Sequence, residues 1–145
     1  RLLAARARST GEIRRKLTDY GYMDDTVDMV LYKLKQEGLV DDEAFAREWA
    51  AARARRQIGR ARILRELAQK GVERETAERA VEAVDEEERD AAALALARKL
   101  LRRYAGEADA KKATAKLMAA MARRGYDFDC ARRAVEGALA EAREE

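Results

Sequence analysis

The chain has 145 residues, of which 41% are charged and 6% are aromatic, and its net charge is only +3. Ala, Leu, Glu, Arg and Lys dominate and proline is absent, which is typical of long helices, so we predict an all-α protein. The absence of histidine excludes imidazole-based catalysis and metal binding, and the single cysteine excludes an internal disulfide framework.

Three glycines, Gly21, Gly71 and Gly125, punctuate the sequence about 50 residues apart. Each follows a helical pattern and should end its helix in a left-handed conformation. An apolar stripe with i, i+3, i+4, i+7 spacing follows each glycine. The three stripes are Val27, Val30, Leu31 and Leu34; Ala77, Ala80, Val81 and Val84; and Ala131, Ala134, Val135 and Ala138. Repetition at this period predicts tandem helical units.

The predicted helices form three groups of three. The first group, residues 1–40, has three predicted helices. They lie at 2–7, at 9–20 with a capping box at Ser9, and at 24–37. The second, residues 41–84, has helices at 42–56, 60–70 and 74–84, with Gly59 separating the first two; the third, residues 85–145, has helices from 85 to near 106, at 109–124 and at 128–142. Each unit alone buries little apolar surface, so we predict three tandem three-helix repeats in an elongated curved array.

The stretch from residue 41 to 72 is the most specific segment. Its distinctive residues are Asp41-Asp42, Phe45-Ala46-Arg47, Trp49, Arg53, Gly59, Glu66-Leu67 and Lys70-Gly71-Val72. In order and spacing this block resembles the RecX family, the regulators of the RecA recombinase, and the repeat pattern extends the resemblance over nearly the whole chain. The resemblance implies a non-enzymatic protein that lies in the groove of the recombinase–DNA filament. It also implies inhibition of the recombinase, ATPase and coprotease activities, which limits recombination and the SOS response.

An arginine run in the same segment is the feature that composition explains least. Six arginines and no acidic residue lie between residues 53 and 65. With one arginine upstream they are our candidates for contact with the filament or with nucleic acid: Arg47, Arg53, Arg55, Arg56, Arg60, Arg62 and Arg65. The planar guanidinium fork suits carboxylate or phosphate, although a charge run can also be a merely solvated face. Arg53, Arg56 and Arg60 would share a face only if one helix continued past Gly59.

Other candidate sites have plainer interpretations. Phe45, Trp49 and Tyr104 could stack on bases, but their helical spacing with Leu and Ala favours core packing. Cys130 could be a reactive thiol, but it has no activating histidine and we predict a core residue. Acidic clusters lie where helices begin, so capping explains them better than metal binding. The glycines form no phosphate-binding loop, and we therefore predict no enzyme and no cofactor.

The expected partners follow from these features. We expect binding to the RecA filament, with weak, non-specific contact to DNA or contact to DNA within the filament. The alternative is a helical protein that binds nucleic acid directly through its arginine-rich segment. No apolar run reaches the ~20 residues needed to span a bilayer and no signal-peptide pattern is present. We therefore expect a monomer in the cytoplasm that does not associate with membranes.

Overall fold

The structure, a computed structural model, describes residues 8–144. Within that range the chain forms eight α-helices and no strand. The helices are α1 (Thr10–Asp19), α2 (Asp24–Gln36), α3 (Asp42–Arg55), α4 (Arg60–Gln69), α5 (Arg74–Glu82), α6 (Glu86–Arg103), α7 (Ala110–Arg123) and α8 (Phe128–Glu144). Their bounds lie within about three residues of those predicted, as local capping signals allow. The helix predicted at 2–7 falls outside the described residues.

Local signals set where the helices begin and end. The Ser9 hydroxyl accepts a hydrogen bond from the Glu12 N–H at 3.1 Å, and the Ser9 N–H donates to the Glu12 carboxylate at 3.2 Å, so the predicted capping box is present. The three turn glycines have left-handed backbone angles, with φ of +95° at Gly21, +79° at Gly71 and +99° at Gly125. Only glycine adopts this conformation at little cost, which is why each helix ends there.

Helix α3 ends without a glycine in the left-handed position. Gln57 has φ of +64° and is the one non-glycine residue with positive φ in the described range. The Ile58 N–H then donates to the Arg53 carbonyl at 3.1 Å, which closes the helix end. Gly59 separates α3 from α4 as predicted, so Arg53 and Arg60 do not lie on one continuous helix.

The chain divides into two compact units. Of the described residues, the first unit contains 8–49 and 64–83, and the second contains 50–63 and 84–144. In the first unit α1 and α2 pack together around Ile13, Val27, Leu31 and Val40. The repeat boundaries at 40 and 84 stay predictions.

In the second unit α6, α7 and α8 all pack against one another around a core rich in alanine. The helical spacing of Leu94, Ala97, Leu101 and Tyr104 in the sequence predicts that they line one face of α6. They lie against this core, with Ala97 fully buried and the other three partly buried. The most buried face of the helix is broader and also includes Ala93, Leu96 and Leu100. The difference arises because α6 packs against two helices rather than one.

In the first unit the start of α1 packs against the turn that follows α4. A Cβ atom on Gly11 would lie 2.5 Å from the Cα of Gly71, so neither position leaves room for a side chain. The hydroxyl of Ser9, which is fully buried, donates a hydrogen bond to the Lys70 carbonyl. We name this arrangement, a helix start seated on a glycine turn, a repeat joint.

A second repeat joint lies within the second unit, where the start of α4 packs against the turn that follows α7. The Gly59 N–H donates to the Arg124 carbonyl at 2.7 Å, and the Ala61 N–H donates to the Gly125 carbonyl at 3.1 Å. A Cβ on Gly59 would overlap the backbone of Gly125 and Tyr126. The chain therefore builds the same joint twice, and in both cases a glycine permits the close approach.

Candidate nucleic-acid interface

Two adjoining cavities in the second unit form a groove lined by positive charge. They share Gln57, Arg62, Lys99 and Arg124, so the groove is continuous. We name it the basic groove, and its charged lining residues are Arg53, Arg56, Arg62, Lys99, Arg103, Arg123 and Arg124. Every charged residue in this lining is a cation, although the chain as a whole carries a net charge of only +3. The groove is therefore a local concentration of positive charge.

Helix ends deliver these cations to one place. Arg53 lies in the last turn of α3, while Arg103 and Arg123 are the last residues of α6 and α7. Arginine is favourable there, because it opposes the partial negative charge of a helix carboxyl end. Lys99 lies one turn before Arg103 on α6, which places both on the same face. The carboxyl ends of three helices thus contribute to the groove.

Arg124 has a structural role in this groove. Its Nε donates to the Gln57 carbonyl at 3.0 Å and its Nη2 donates to the Arg56 carbonyl at 2.7 Å. Both carbonyls lie just beyond the carboxyl end of α3, where backbone acceptors lack a hydrogen-bond donor within the helix. The half-buried guanidinium supplies that donor and so caps the helix end. Arg124 therefore fixes the relative positions of the α3 end and the turn at Gly125.

Four other cations of the groove are presented to solvent. Arg56, Lys99, Arg103 and Arg123 are exposed, and their side chains form no ion pair with residues 8–144. Mutual repulsion among unpaired cations costs stability, and a bound anion would remove that cost. The groove is thus chemically suited to a multiply charged anion such as a phosphate backbone.

The predicted arginines are only partly brought together. Arg53, Arg56 and Arg62 line the basic groove. Arg55 lines a separate cavity beside Glu88, and Arg60 lines another together with Glu86, Asp90, Asp127 and Asp129. Arg47 on α3 and Arg65 on α4 are exposed in the first unit.

Sequence reasoning missed more than half of the groove. Lys99, Arg103, Arg123 and Arg124 lie outside the arginine run and complete the lining. A sequence signal was available for three of them, because Arg102-Arg103 and Arg123-Arg124 are basic pairs at predicted helix ends.

The aromatic residues do not offer a platform for bases in this groove, since none of its lining residues is aromatic. Phe45 is buried as predicted, and its ring stacks on that of Trp49 with the centroids 6.2 Å apart. The Trp49 indole N–H donates to the Glu66 carboxylate at 3.0 Å, and the Lys70 ammonium lies 4.3 Å from the ring centroid. Contacts within the first unit therefore already hold the Trp49 ring.

Cys130 is a core residue, as predicted, with 5% of its surface exposed. Burial and the negative charges of Asp90 and Asp127 together raise the pKa of its thiol to about 11. The thiol is therefore neutral at physiological pH and a poor nucleophile. Across residues 8–144 no three His, Cys, Asp or Glu side chains converge as metal ligands. In that same range no helix has the length and apolar character needed to cross a membrane.

Comparison with known proteins identifies the family. Models of the first, second and third three-helix domains of RecX match residues 1–43, 41–81 and 86–135. The chain is 37% identical over 147 residues to "Regulatory protein RecX" of Mycobacterium avium (strain 104), covering 99% of this chain and 84% of the relative. It is 38% identical over 150 residues to the protein of the same name from Mycolicibacterium vanbaalenii, covering 99% of this chain and 82% of the relative.

A solved structure supports the fold. The crystal structure of RecX from Lactobacillus salivarius superposes with a TM-score of 0.87 at 20% sequence identity, covering 94% of this chain and 89% of that one. The predicted all-α tandem helical fold is thereby confirmed. With the three matching domains and the near full-length relatives, these findings show that the chain belongs to the RecX family.

Proposed function

We propose that the chain is a non-enzymatic regulator that binds the RecA recombinase filament on DNA and inhibits its recombinase, ATPase and coprotease activities. It thereby limits recombination and the SOS response, and it acts as a cytoplasmic monomer without a cofactor. The proposal is supported by near full-length relatives named Regulatory protein RecX. The observation that supports it most directly in the chain itself is the basic groove.

In this proposal the basic groove faces the phosphates of filament-bound DNA. Seven cations line it without an acid or an aromatic ring among them. Such a surface neutralises phosphate and releases counterions, which gives affinity independent of base sequence. Contacts to phosphate carry no direct information about base sequence, so binding through this groove should depend little on the sequence of the DNA.

The alternative is a protein that binds nucleic acid directly and needs no recombinase. The exposure of Arg56, Lys99, Arg103 and Arg123 favours it, since these side chains are available without any rearrangement. The two functions differ in what they require: the regulator must slow the recombinase at low ratios, whereas a simple DNA binder acts only by occupying DNA.

The test is DNA-dependent ATP hydrolysis by the cognate recombinase, measured while the protein is titrated below the stoichiometric ratio. Wild type should slow hydrolysis, and Arg56→Glu/Lys99→Glu should require about tenfold more protein. The matched control is Arg47→Glu/Arg65→Glu, which changes the charge equally at exposed positions of the first unit and should behave as wild type.

Each outcome decides between the functions. If wild type binds naked DNA but never slows hydrolysis below saturation of the DNA, the regulator proposal fails and the direct DNA binder stands. If the control variant loses inhibition while Arg56→Glu/Lys99→Glu retains it, the assignment of the basic groove fails. Thermal unfolding of both variants verifies that each remains folded.

A further inference from the structure

The turn after α1 exposes residues that the two equivalent turns bury. The Gly21 N–H donates to the Thr18 carbonyl at 2.9 Å and the Tyr22 N–H donates to the Leu17 carbonyl at 3.1 Å. The turns at Gly71 and Gly125 make the same two hydrogen bonds at matching positions. Yet Tyr22 is 53% exposed, whereas its counterparts Val72 and Tyr126 are each 5% exposed.

This turn lies within an exposed apolar surface. Seven of the eight exposed large hydrophobic residues of the described chain fall between residues 20 and 39, including Tyr20 and Met23 beside the turn. Large exposed apolar side chains concentrated in one segment favour an interaction site over a merely solvated face. The turn therefore has the composition of a docking surface.

The repeat joints indicate what fits on such a turn. In both joints a helix start is seated on the turn, and the carbonyl before the glycine accepts a hydrogen bond from it: Lys70 from a hydroxyl, Arg124 from an N–H. The equivalent carbonyl, that of Tyr20, receives no hydrogen bond from residues 8–144. Apart from its two chain neighbours, no residue of the described chain lies within 4 Å of a Cβ built on Gly21. The position that a helix start occupies in the two joints is therefore empty at this turn.

Charge around the open turn also favours a helix start. Asp19, Asp24 and Asp25 flank it and are exposed. The amino end of a helix carries partial positive charge and unsatisfied N–H groups, which carboxylates and free carbonyls attract. The same carboxylates repel phosphate, so the occupant should be a protein helix rather than DNA.

A second copy of this chain does not meet the steric requirement. The corresponding helix of the third repeat is α7, which begins with Asp109 as its cap, followed by Ala110 and Lys111. The joints place glycine either at the cap, as Gly59, or at the second helical residue, as Gly11, because a Cβ there would overlap the backbone of the turn. Helix α7 has Asp109 and Lys111 at these two positions. The start of α7 therefore does not fit the open turn, and we expect a helix of another protein there.

We propose that the turn at Tyr20–Met23 docks the amino-terminal turn of a helix in the recombinase protomer, one that carries glycine as its cap or as its second residue, as Gly59 and Gly11 do in the two joints. The choice of the recombinase as partner rests on the proposed function, while the chemistry of the occupant rests on the two repeat joints. The docked helix start donates to the Tyr20 carbonyl and covers Tyr22.

The test compares lysine substitutions at adjacent positions of the same turn. Tyr22→Lys places a charge at the position whose counterparts in the two joints, Val72 and Tyr126, are buried. Docking would bury that charge, so affinity for the recombinase filament should fall at least about tenfold. Tyr22→Val reproduces the residue of the second repeat and should bind as wild type. Tyr20→Lys should also bind as wild type, because Lys70 occupies that position in an observed joint. Naked-DNA affinity should stay unchanged in all three variants.

The outcomes separate this proposal from the proposed function. If the filament binds wild type and Tyr22→Lys equally, docking at this turn is wrong while the regulator stands. Equal losses for Tyr20→Lys and Tyr22→Lys would show a general apolar contact and overturn the joint-like geometry. If wild type self-associates in sedimentation and Tyr22→Lys abolishes this, the occupant is a second copy and the proposal fails. If wild type does not bind the filament at all, both proposals fall.

A position-specific measurement complements the affinities. Tyr22→benzoylphenylalanine places a photo-crosslinker at the centre of the turn, and purified recombinase filament serves as the probe. The adduct should map to the first turn of a recombinase helix that carries glycine as its cap or as its second residue. An adduct in the middle of a helix or in a loop would contradict the proposed geometry.

Discussion

The Tyr126 hydroxyl is buried and has no hydrogen-bond partner among residues 8–144. Burial raises the pKa of this phenol to about 12, so it stays protonated at neutral pH. A buried unpaired hydroxyl costs stability, because water would have satisfied it in the unfolded chain. We expect Tyr126→Phe to leave stability unchanged or to raise it by up to about 1 kcal/mol. Urea unfolding measures this, and a loss greater than about 1 kcal/mol would show that the hydroxyl is satisfied after all.

Cys130 gives a prediction for pH dependence. Its thiol pKa is raised from 9.0 to about 11, first by burial and then by Asp90 and Asp127. A raised pKa lowers the thiolate fraction, so at pH 8 alkylation of the folded protein should be about a hundredfold slower than in urea. The rate should rise only as the pH approaches the folded pKa. Equal rates at pH 8 in the folded and unfolded protein would contradict the burial of this thiol.

At the scale of elements, the repeat joints depend on glycines, because the helix start approaches the turn too closely for a side chain to fit between them. Gly59→Ala would place its methyl group into the backbone of Gly125 and Tyr126, and backbone cannot move aside as a flexible side chain can. We expect a loss of about 1–3 kcal/mol in the free energy of unfolding. Gly106→Ala is the matched control, because no atom lies within 4 Å of its Cβ position. Equal urea midpoints for the two variants would contradict the joint.

The sequence predicts the helices well but not these joints. Helix bounds follow from local signals, such as the capping box at Ser9 and the turn glycine at Gly71, and both occur as predicted. The role of Gly11 was not readable, because a glycine inside a capping box carries no sign of the turn 60 residues later that packs against it. The three turn glycines also look equivalent in sequence, yet Gly21 is open and the other two are enclosed.

At the scale of the whole chain, a modest net charge conceals a strongly basic surface. The arginine run predicted Arg53, Arg56 and Arg62, because these lie close together in sequence. It could not predict Lys99 or Arg123, since only the packing of α6 on α7 brings their helix ends to the same groove. Arg60, also in the run, lines another cavity together with four carboxylates and with Arg89 and Arg133. Proximity in sequence is thus a poor guide to a surface assembled from four segments.

The basic groove predicts how DNA binding depends on salt. Each phosphate neutralised by a cation releases counterions, so log affinity falls with log salt at about −0.9 per contact on duplex DNA. The four exposed unpaired cations therefore predict a slope of about −3.6 for wild type. Arg56→Glu/Lys99→Glu removes two of these contacts, so its slope should be about −1.8 or smaller in magnitude.

Fluorescence anisotropy with a labelled duplex between low and physiological salt measures both slopes. Arg47→Glu/Arg65→Glu carries the same change in net charge and should keep the wild-type slope, because both residues lie outside the groove. If the two double variants give equal slopes, net charge rather than the groove governs binding. A wild-type slope near zero would exclude phosphate contact altogether, because no set of cations binds DNA without displacing its counterions.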